Sequence, residues 1–388
     1  MKIKKNIVIF IDWYLPAYKA GGPVKSAAAL VYYLKNEFNF YIITGNKDLF
    51  ASEPYKGIKS NEWNTLPNGE QVFYFSDDFI SFKTLQTVIQ KVEYDCVYLN
   101  SFFSKRFTIY PLLLKKLGII KKPMLIAPRG MLSSGALNLK AKKKNAFIGL
   151  AKLSLLYKGV IWHATSAQEE TDIKNIFGTK APVHKISNLT LPPTKSRADY
   201  TKATGELKIC CVARISKVKN ILFALQVLQT IQTGTIAFDL YGPAEEEDYY
   251  ALCTQFAAQL PANITINFKG DLQGNQVEQT LKNYHLFFLP TLNENFGHAI
   301  VEAMLNGCIP LISNTTPWRN LQAQNIGWDI ALNETEKFIK AINEVLHLSQ
   351  SEFEQKSKAV QQYALTHCID VKAVEGYKIL FNSLLISK

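Results

Sequence analysis

The chain is poor in the features that define several whole classes of protein. Six cysteines are spread through 388 residues, at Cys96, Cys210, Cys211, Cys253, Cys308 and Cys368, and no pair has metal or redox spacing. That argues against a disulfide scaffold and a zinc ribbon, and reads as reduced core cysteines of a cytosolic protein. No apolar run approaches the ~18 residues of a membrane-crossing helix. The opening, Met1 to Asp12, has a basic head, but its apolar run stops at Asp12. A signal peptide needs about 7–15 apolar residues and a small-residue cleavage site, so this segment reads as a first buried strand. Neither a G-x-G-x-x-G fingerprint nor a Walker loop occurs. An Asp-x-Asp pair in a suitable loop and a His/Asp cluster are also missing, so no metal and no bound cofactor are expected.

Acid is short in one half only. Residues 1–190 hold 27 Lys and Arg against 13 Asp and Glu, a net +14, whereas residues 191–388 hold 17 against 19, a net −2. A basic half suits something anionic, and nucleic acid, an anionic membrane and a phosphorylated substrate all qualify. The length is too great for one ordinary core and suits two domains. Strand-like runs at 6–11, 40–44, 71–75, 95–99, 124–127 and 160–164 alternate with helical or loop segments, which predicts a parallel α/β domain over 1–190. The section 45–70 lacks periodicity and reads as a long surface excursion. Residues 191–206, with Pro192-Pro193 and no apolar period, read as a linker. The alternation resumes over 207–370, and 371–388 reads as a final helix.

The most informative stretch runs from Leu286 to Ser313. Leu286–Leu289 is a short apolar strand ended by Pro290, residues 291–295 are a polar loop, and Phe296, Ala299, Ile300, Ala303 and Met304 recur at helical spacing until Gly307. Ile309 to Ile312 is a second strand, which completes a strand–loop–helix–strand unit. Two carboxylates punctuate it, Glu294 and Glu302, with seven residues between them. Glu294 falls in the loop at the carboxyl end of a strand, where open α/β sheets place ligands. Between the two, the amides of a helix start near Phe296, Gly297 and His298, which have no acceptor within the helix, suit an anionic or hydroxyl-rich ligand. Spacing alone also fits a capped helix with two solvated glutamates.

The full string decides between these. Glu294-x7-Glu302, with Asn-Phe-Gly after the first Glu and Glu-Ala-Met-x-x-Gly-x-Pro closing the unit, resembles the signature of the retaining family-4 glycosyltransferases of the GT-B fold. The resemblance implies two Rossmann-like domains facing a cleft, with the last helix, from Val371 to Ile386, crossing back to the first domain. It assigns Glu294 to the donor sugar, Asn295, Phe296 and Gly297 to sugar and phosphate, and Glu302 to the ribose. Ala213-Arg-Ile-Ser-Lys-Val-Lys-Asn220 is similar to the family's diphosphate-holding segment, so Arg214 and Lys219 are expected there; position alone would leave two solvated surface cations. Gly242, in the turn after the next strand, joins the donor set by the same resemblance. Lys217 reads as a solvated neighbour.

In the first half, Gly21-Gly22-Pro23 separates a strand from a helix. Spacing alone gives a tight turn with proline at a first helical position; the resemblance makes Gly21 and Gly22 part of a loop that closes over the donor phosphates. Arg129 and Asn100 follow two strands where relatives often carry histidines, and both are candidates for the acceptor side. An arginine holds phosphate well and shuttles protons poorly, and Arg129 reads equally as a structural salt bridge. Ser166 with Glu169 three residues later reads as a helix cap. Residues 138–158 combine clustered lysines with an apolar second part. They fit a helix with its apolar side on the core, or an interfacial helix on anionic headgroups.

The expected protein is a retaining glycosyltransferase in which Arg214, Lys219 and Glu294 carry catalysis. It would take a UDP-, GDP- or ADP-sugar and pass the sugar to a glycan or lipid-diphosphate-linked acceptor in bacterial polysaccharide or lipopolysaccharide synthesis. The expected location is the cytoplasm, with peripheral contact to the inner face of the membrane and no nucleic-acid partner. The alternatives are a GT-B sugar-nucleotide epimerase or phosphorylase, and a non-enzymatic basic protein that binds membrane or nucleic acid.

Overall fold

The computed structural model describes residues 4–138, 141–194 and 201–386. The chain divides into two compact units, residues 1–189 with 370–388, and residues 190–369. The first unit is built on β1 (Lys5–Phe10), β2 (Phe38–Gly45), β3 (Trp63–Thr65), β4 (Gln71–Phe75), β5 (Cys96–Leu99), β6 (Met124–Ile126), β7 (Ile161–Ala164) and β8 (Val183–Lys185). Their order is β3-β4-β2-β1-β5-β6-β7-β8, and every pairing is parallel except β3 with β4. Strands β1 and β5 are buried along almost their whole length. This is why they read as continuous apolar runs and show no alternation.

The chain order reverses at β1: the connections run outward through β2 on one side and through β5 on the other. The crevice at the carboxyl ends of β1 and β5 is therefore the switch point, where this architecture receives ligands. The excursion 45–70 is more than surface. It carries β3, and its buried Asp48 accepts from the backbone N–H groups of Tyr18 (2.9 Å) and Lys19 (3.2 Å), so it holds the loop before Gly21. Glu70 supports the same loop from below by accepting from the Tyr14 hydroxyl at 3.1 Å.

The second unit carries β9 (Glu206–Val212), β10 (Thr235–Tyr241), β11 (Ile264–Gly270), β12 (Leu286–Leu289), β13 (Ile309–Ser313) and β14 (Trp328–Ile330), all parallel, in the order β11-β10-β9-β12-β13-β14. The strands β3, β8 and β14 have three residues each, as does β6, but they lie at sheet edges and are only partly buried, so no apolar run announces them as Met124–Ile126 announces β6. All six cysteines are free and buried.

The helix Val371–Ile386 belongs to the first unit. Its Phe381 is fully buried, with its ring 5.5 Å from Phe38 and 6.1 Å from Tyr98. Its Tyr377 reaches His163 at 3.4 Å. The last helix thus completes a core begun at the first strand. Phe381→Ala is expected to cost about 3–5 kcal/mol in the unfolding transition of the first unit alone, as followed by urea denaturation. An equal loss in both units, or a loss below about 1 kcal/mol, would show that the helix is not part of that core.

Candidate active site

In the second unit, β10, β9, β12 and β13 lie side by side, so the loops that follow them share one edge. Ala213 and Ile215 donate their backbone N–H groups to Tyr241 and Pro243 of the neighbouring loop, each at 2.9 Å. Between those two carbonyls sits Gly242, with φ +139°, where a Cβ would lie 2.1 Å from the Ala213 carbonyl oxygen. Packing of one loop on the other is a sufficient reason for this glycine, whatever its distance from a ligand.

After Arg214 the chain makes a tight turn, Lys217–Lys219, and Asn220 in the left-handed conformation (φ 55°) leads into the helix Ile221–Gln229. The backbone N–H of Leu292 (2.7 Å) and the hydroxyl of Thr291 (3.0 Å) both donate to the Val218 carbonyl. These bonds tie the loop after β12 to the turn after β9. They set Lys219 Nζ 2.6 Å from Glu294 Oε2, in a pair whose side chains are only 15% and 20% exposed. Arg214 pairs with Glu245 of the adjacent loop, in a more open position. Lys217 reaches Glu246 at 3.6 Å and is mostly solvated, in line with its reading from sequence.

Gly297 adopts φ 80°, ψ 56° and starts the helix His298–Leu305, which no side chain caps. A Cβ on Gly297 would meet Ile300 Cδ1 at 2.8 Å and Glu294 Cγ at 3.2 Å. Glycine is what lets the Glu294 side chain lie against the helix start. The Phe296 carbonyl accepts from Trp318 Nε1 at 2.6 Å, and the two rings meet edge-on at 5.5 Å. Trp318 therefore packs behind the loop. Asn295 and Glu302 are both half-buried, the second on the helix that rises from this edge. One sheet edge so gathers two cations, an uncapped helix start and a carboxylate. Chemically, that set can hold a diphosphate and accept hydrogen bonds from sugar hydroxyls.

In the first unit, Gly21 has φ 70°, ψ −123°, a conformation that only glycine adopts readily, and the space where a Cβ would point is open. Gly22 begins the helix Gly22–Leu34. Arg129, itself at φ 56°, forms no salt bridge through its hydrogen bonds. Its Nε donates to Asn100 Oδ1, Nη1 to Asn188 Oδ1, and Nη2 to the Tyr98 hydroxyl at 3.0 Å. The two acceptor-side candidates are thus bonded to each other. The salt-bridge reading of Arg129 gives way to a fork on three neutral oxygens, which joins the ends of β5 and β6 to Asn188. Glu169 does not close a reciprocal cap. Ser166 accepts from the Glu169 N–H at 3.1 Å, but the carboxylate turns inward to Thr165 (2.7 Å) and the Gly130 N–H (2.6 Å). Next to the fork, His163 Nδ1 lies 2.7 Å from the Tyr98 hydroxyl and Nε2 lies 2.9 Å from the Ile186 carbonyl. Burial, helped by the Arg129 charge, pushes its pKa down to about 3, so the ring is neutral.

One residue escaped the sequence reading. Asp12 follows β1 at the switch point and accepts from the Ser104 hydroxyl at 2.6 Å. Burial raises its pKa, against the lowering effects of Ser104, Ser101 and Arg106. The available signal was an acid directly after an apolar first strand, where a polar side chain at a carboxyl end faces the crevice.

Residues 193–364 match the family model described as glycosyl transferases group 1. The match covers a little under half of the chain and shows similarity to that family over this stretch. Arg214, Lys219, Glu294 and Glu302 all fall within it. The GtfA subunit of UDP-N-acetylglucosamine–peptide N-acetylglucosaminyltransferase from Streptococcus parasanguinis is 26% identical over 141 residues, 36% of this chain and 25% of that protein. The chain thus matches about a quarter of this curated relative's length. The structure of HepE from Anabaena in complex with UDP and glucose matches with a TM-score of 0.70 at 16% identity, covering 98% of this chain and 100% of that one. Sucrose-phosphate synthase from Thermosynechococcus elongatus matches at 0.73 and 14%, covering 99% and 100%. What these structures share with the chain is the GT-B fold.

Two predictions follow from the geometry. Lys219→Met and Glu294→Gln should each cost about 2 kcal/mol, because each strands a half-buried partner. The double variant should regain most of that stability in thermal unfolding and still transfer no sugar. Full transfer by the double variant would remove this pair from the site. Asp12→Asn should unfold at a higher temperature than wild type at pH 7. A carboxyl whose pKa is raised by folding weakens the fold as pH climbs above its ordinary value of 3.8. The gap should close as pH falls toward 3.8; a gap that persists unchanged there would mean the side chain acts by packing and not by charge.

Proposed function

We propose that the protein is a retaining glycosyltransferase that moves a sugar from a nucleotide-sugar donor to an acceptor hydroxyl, with a glycan on a lipid carrier as the acceptor class. The observation that carries this reading is the Lys219–Glu294 pair at 2.6 Å, beside Arg214 and the Gly297 helix start, inside the segment that matches the family. In this reading Arg214 and Lys219 take the donor diphosphate and stabilise the charge that develops on it as the bond from the anomeric carbon to phosphate oxygen breaks. Glu294 accepts from a donor-sugar hydroxyl, and the amides from Asn295 to His298 face sugar and phosphate. Glu302 takes the ribose. The acceptor oxygen bonds to the anomeric carbon on the face the phosphate leaves, and its proton passes to the departing phosphate oxygen. No metal takes part in this scheme. UDP bound to HepE and the UDP-sugar named for the Streptococcus relative favour a uridine donor over GDP or ADP. The cytoplasm is where nucleotide sugars are supplied, and it is the expected location.

Thermal unfolding with UDP, GDP, ADP and their sugar conjugates tests this. A ligand at 100 times its dissociation constant adds about 2.7 kcal/mol, a shift of several degrees. A shift with one nucleoside diphosphate, lost in Arg214→Ala, is the expected outcome. A response to none of them, or one indifferent to Arg214→Ala, would sink the donor-site assignment.

A further inference from the structure

The helix Ala141–Leu153 departs from the core-facing expectation. Only Ile148 and Ala151 of its residues are buried. Its leucines turn outward: Leu150 is 67% exposed, Leu153 is 83% exposed, and Leu155 in the turn after it is 60% exposed. Successive residues of a helix turn by ~100°, so Lys142, Ala146, Leu150 and Leu153 fall on one side, opposite Ile148 and Ala151. Lys142, Lys143, Lys152 and Lys158 are exposed around these leucines. Lys116 Nζ donates to the Ser154 carbonyl at 2.8 Å. That bond draws the end of the helix Tyr110–Lys116, with Leu117 65% exposed, against the same turn.

The surrounding sequence is one-signed. From Asp95 to Glu169 the chain has thirteen Lys and Arg and no intervening Asp or Glu. Solvated lysines need no explanation, but the exposed Leu150, Leu153 and Leu155 so close together among them do. A duplex would use the lysines and leave the leucines in water, whereas a negatively charged bilayer uses both. Lysine heads meet the headgroup charge while the leucines enter the acyl boundary. No described helix is long and apolar enough to cross a membrane, so the contact is peripheral.

We propose that the face formed by Lys142, Lys143, Leu150, Leu153 and Leu155, with Leu117 beside it, docks the protein on an anionic lipid surface. The inference goes beyond the transfer reaction and is tested without it. Co-sedimentation is measured with vesicles of phosphatidylcholine mixed with phosphatidylglycerol, and with vesicles of phosphatidylcholine alone. Wild type should sediment with the anionic vesicles only. Lys142→Ser with Lys143→Ser should weaken binding at low salt by about fivefold for each lysine. Leu150→Ser with Leu153→Ser should weaken it by about tenfold or more, and should do so at high salt as well. Since all four side chains are exposed, the unfolding temperature and the nucleotide response should stay at wild-type values. Absence of wild type from the anionic pellet would overturn the proposal. So would leucine variants that bind vesicles as wild type does, or a wild-type dimer that those variants convert to monomer with unchanged vesicle binding. The last result would make the face a contact between copies of the chain.

Discussion

Parallel strands joined by helical crossovers leave every strand-to-helix loop on the same edge of their sheet. Residues far apart in sequence are brought together there, whatever their spacing. In the second unit this constraint brings the loops after β10, β9, β12 and β13 into one row. Hydrogen bonds between loops then fix the register along the row, as in those from Leu292 and Thr291 to Val218. Side-chain chemistry comes last. Lys219 and Glu294 meet across 75 residues because two strands are neighbours and two backbone segments are laced together. Gly242 removes a Cβ that would collide with Ala213 of the loop after β9, and Gly297 removes one that would meet Glu294 and Ile300 of its own loop and helix.

Arg214–Glu245 and Lys219–Glu294 are unequal ion pairs, and the inequality matters for ligand exchange. Arg214 and Glu245 sit in the open, where such a pair is worth about 0–1 kcal/mol and is readily traded for a phosphate. Lys219 and Glu294 are more enclosed, so separating them without a replacement leaves two poorly solvated charges. A ligand that offers an anion to Lys219 and a hydroxyl to Glu294 together satisfies both partners. One that offers only an anion leaves the carboxylate stranded. On the proposed reading, the pair would favour a ligand with phosphate and sugar joined over free phosphate, through the desolvation of one carboxylate.

Much of this was legible in the sequence, for physical reasons that can be named. The buried parallel strands announce themselves as apolar runs, and Phe296 to Gly307 shows helical spacing with a glycine stop, so the unit around Glu294 could be read directly. The partnership of Lys219 with Glu294 could not, because it depends on which strands are neighbours. The outward leucines of Ala141–Leu153 were hidden for a related reason: an apolar run of that length fits a core helix equally well. Asp12 and the Arg129 fork belong to the same class. Their surroundings are assembled from β1, β5, β6 and the residues after β8, and no local pattern reports such an assembly.

The first unit narrows the search for a proton acceptor on its own side. Arg129 stands where relatives often place a histidine, but a guanidinium keeps its proton, and three of its N–H groups are committed to Asn100, Asn188 and Tyr98. The buried histidine of the region is no substitute. With Nε2 donating to the Ile186 carbonyl, Nδ1 must accept from Tyr98, and burial beside a positive charge keeps the ring from gaining a second proton. Both nitrogens are occupied and the tautomer is fixed. Asp12 differs from each of them. It stands at the switch point of the sheet, its burial opposes ionisation, and its polar support comes from Ser104, Ser101, its own backbone N–H and the charge of Arg106. A carboxyl held in that way gains most when a hydroxyl donates to it. A hydroxyl-bearing ligand at the carboxyl edge of β1 would offer that interaction and would draw the Asp12 pKa back down toward its ordinary value.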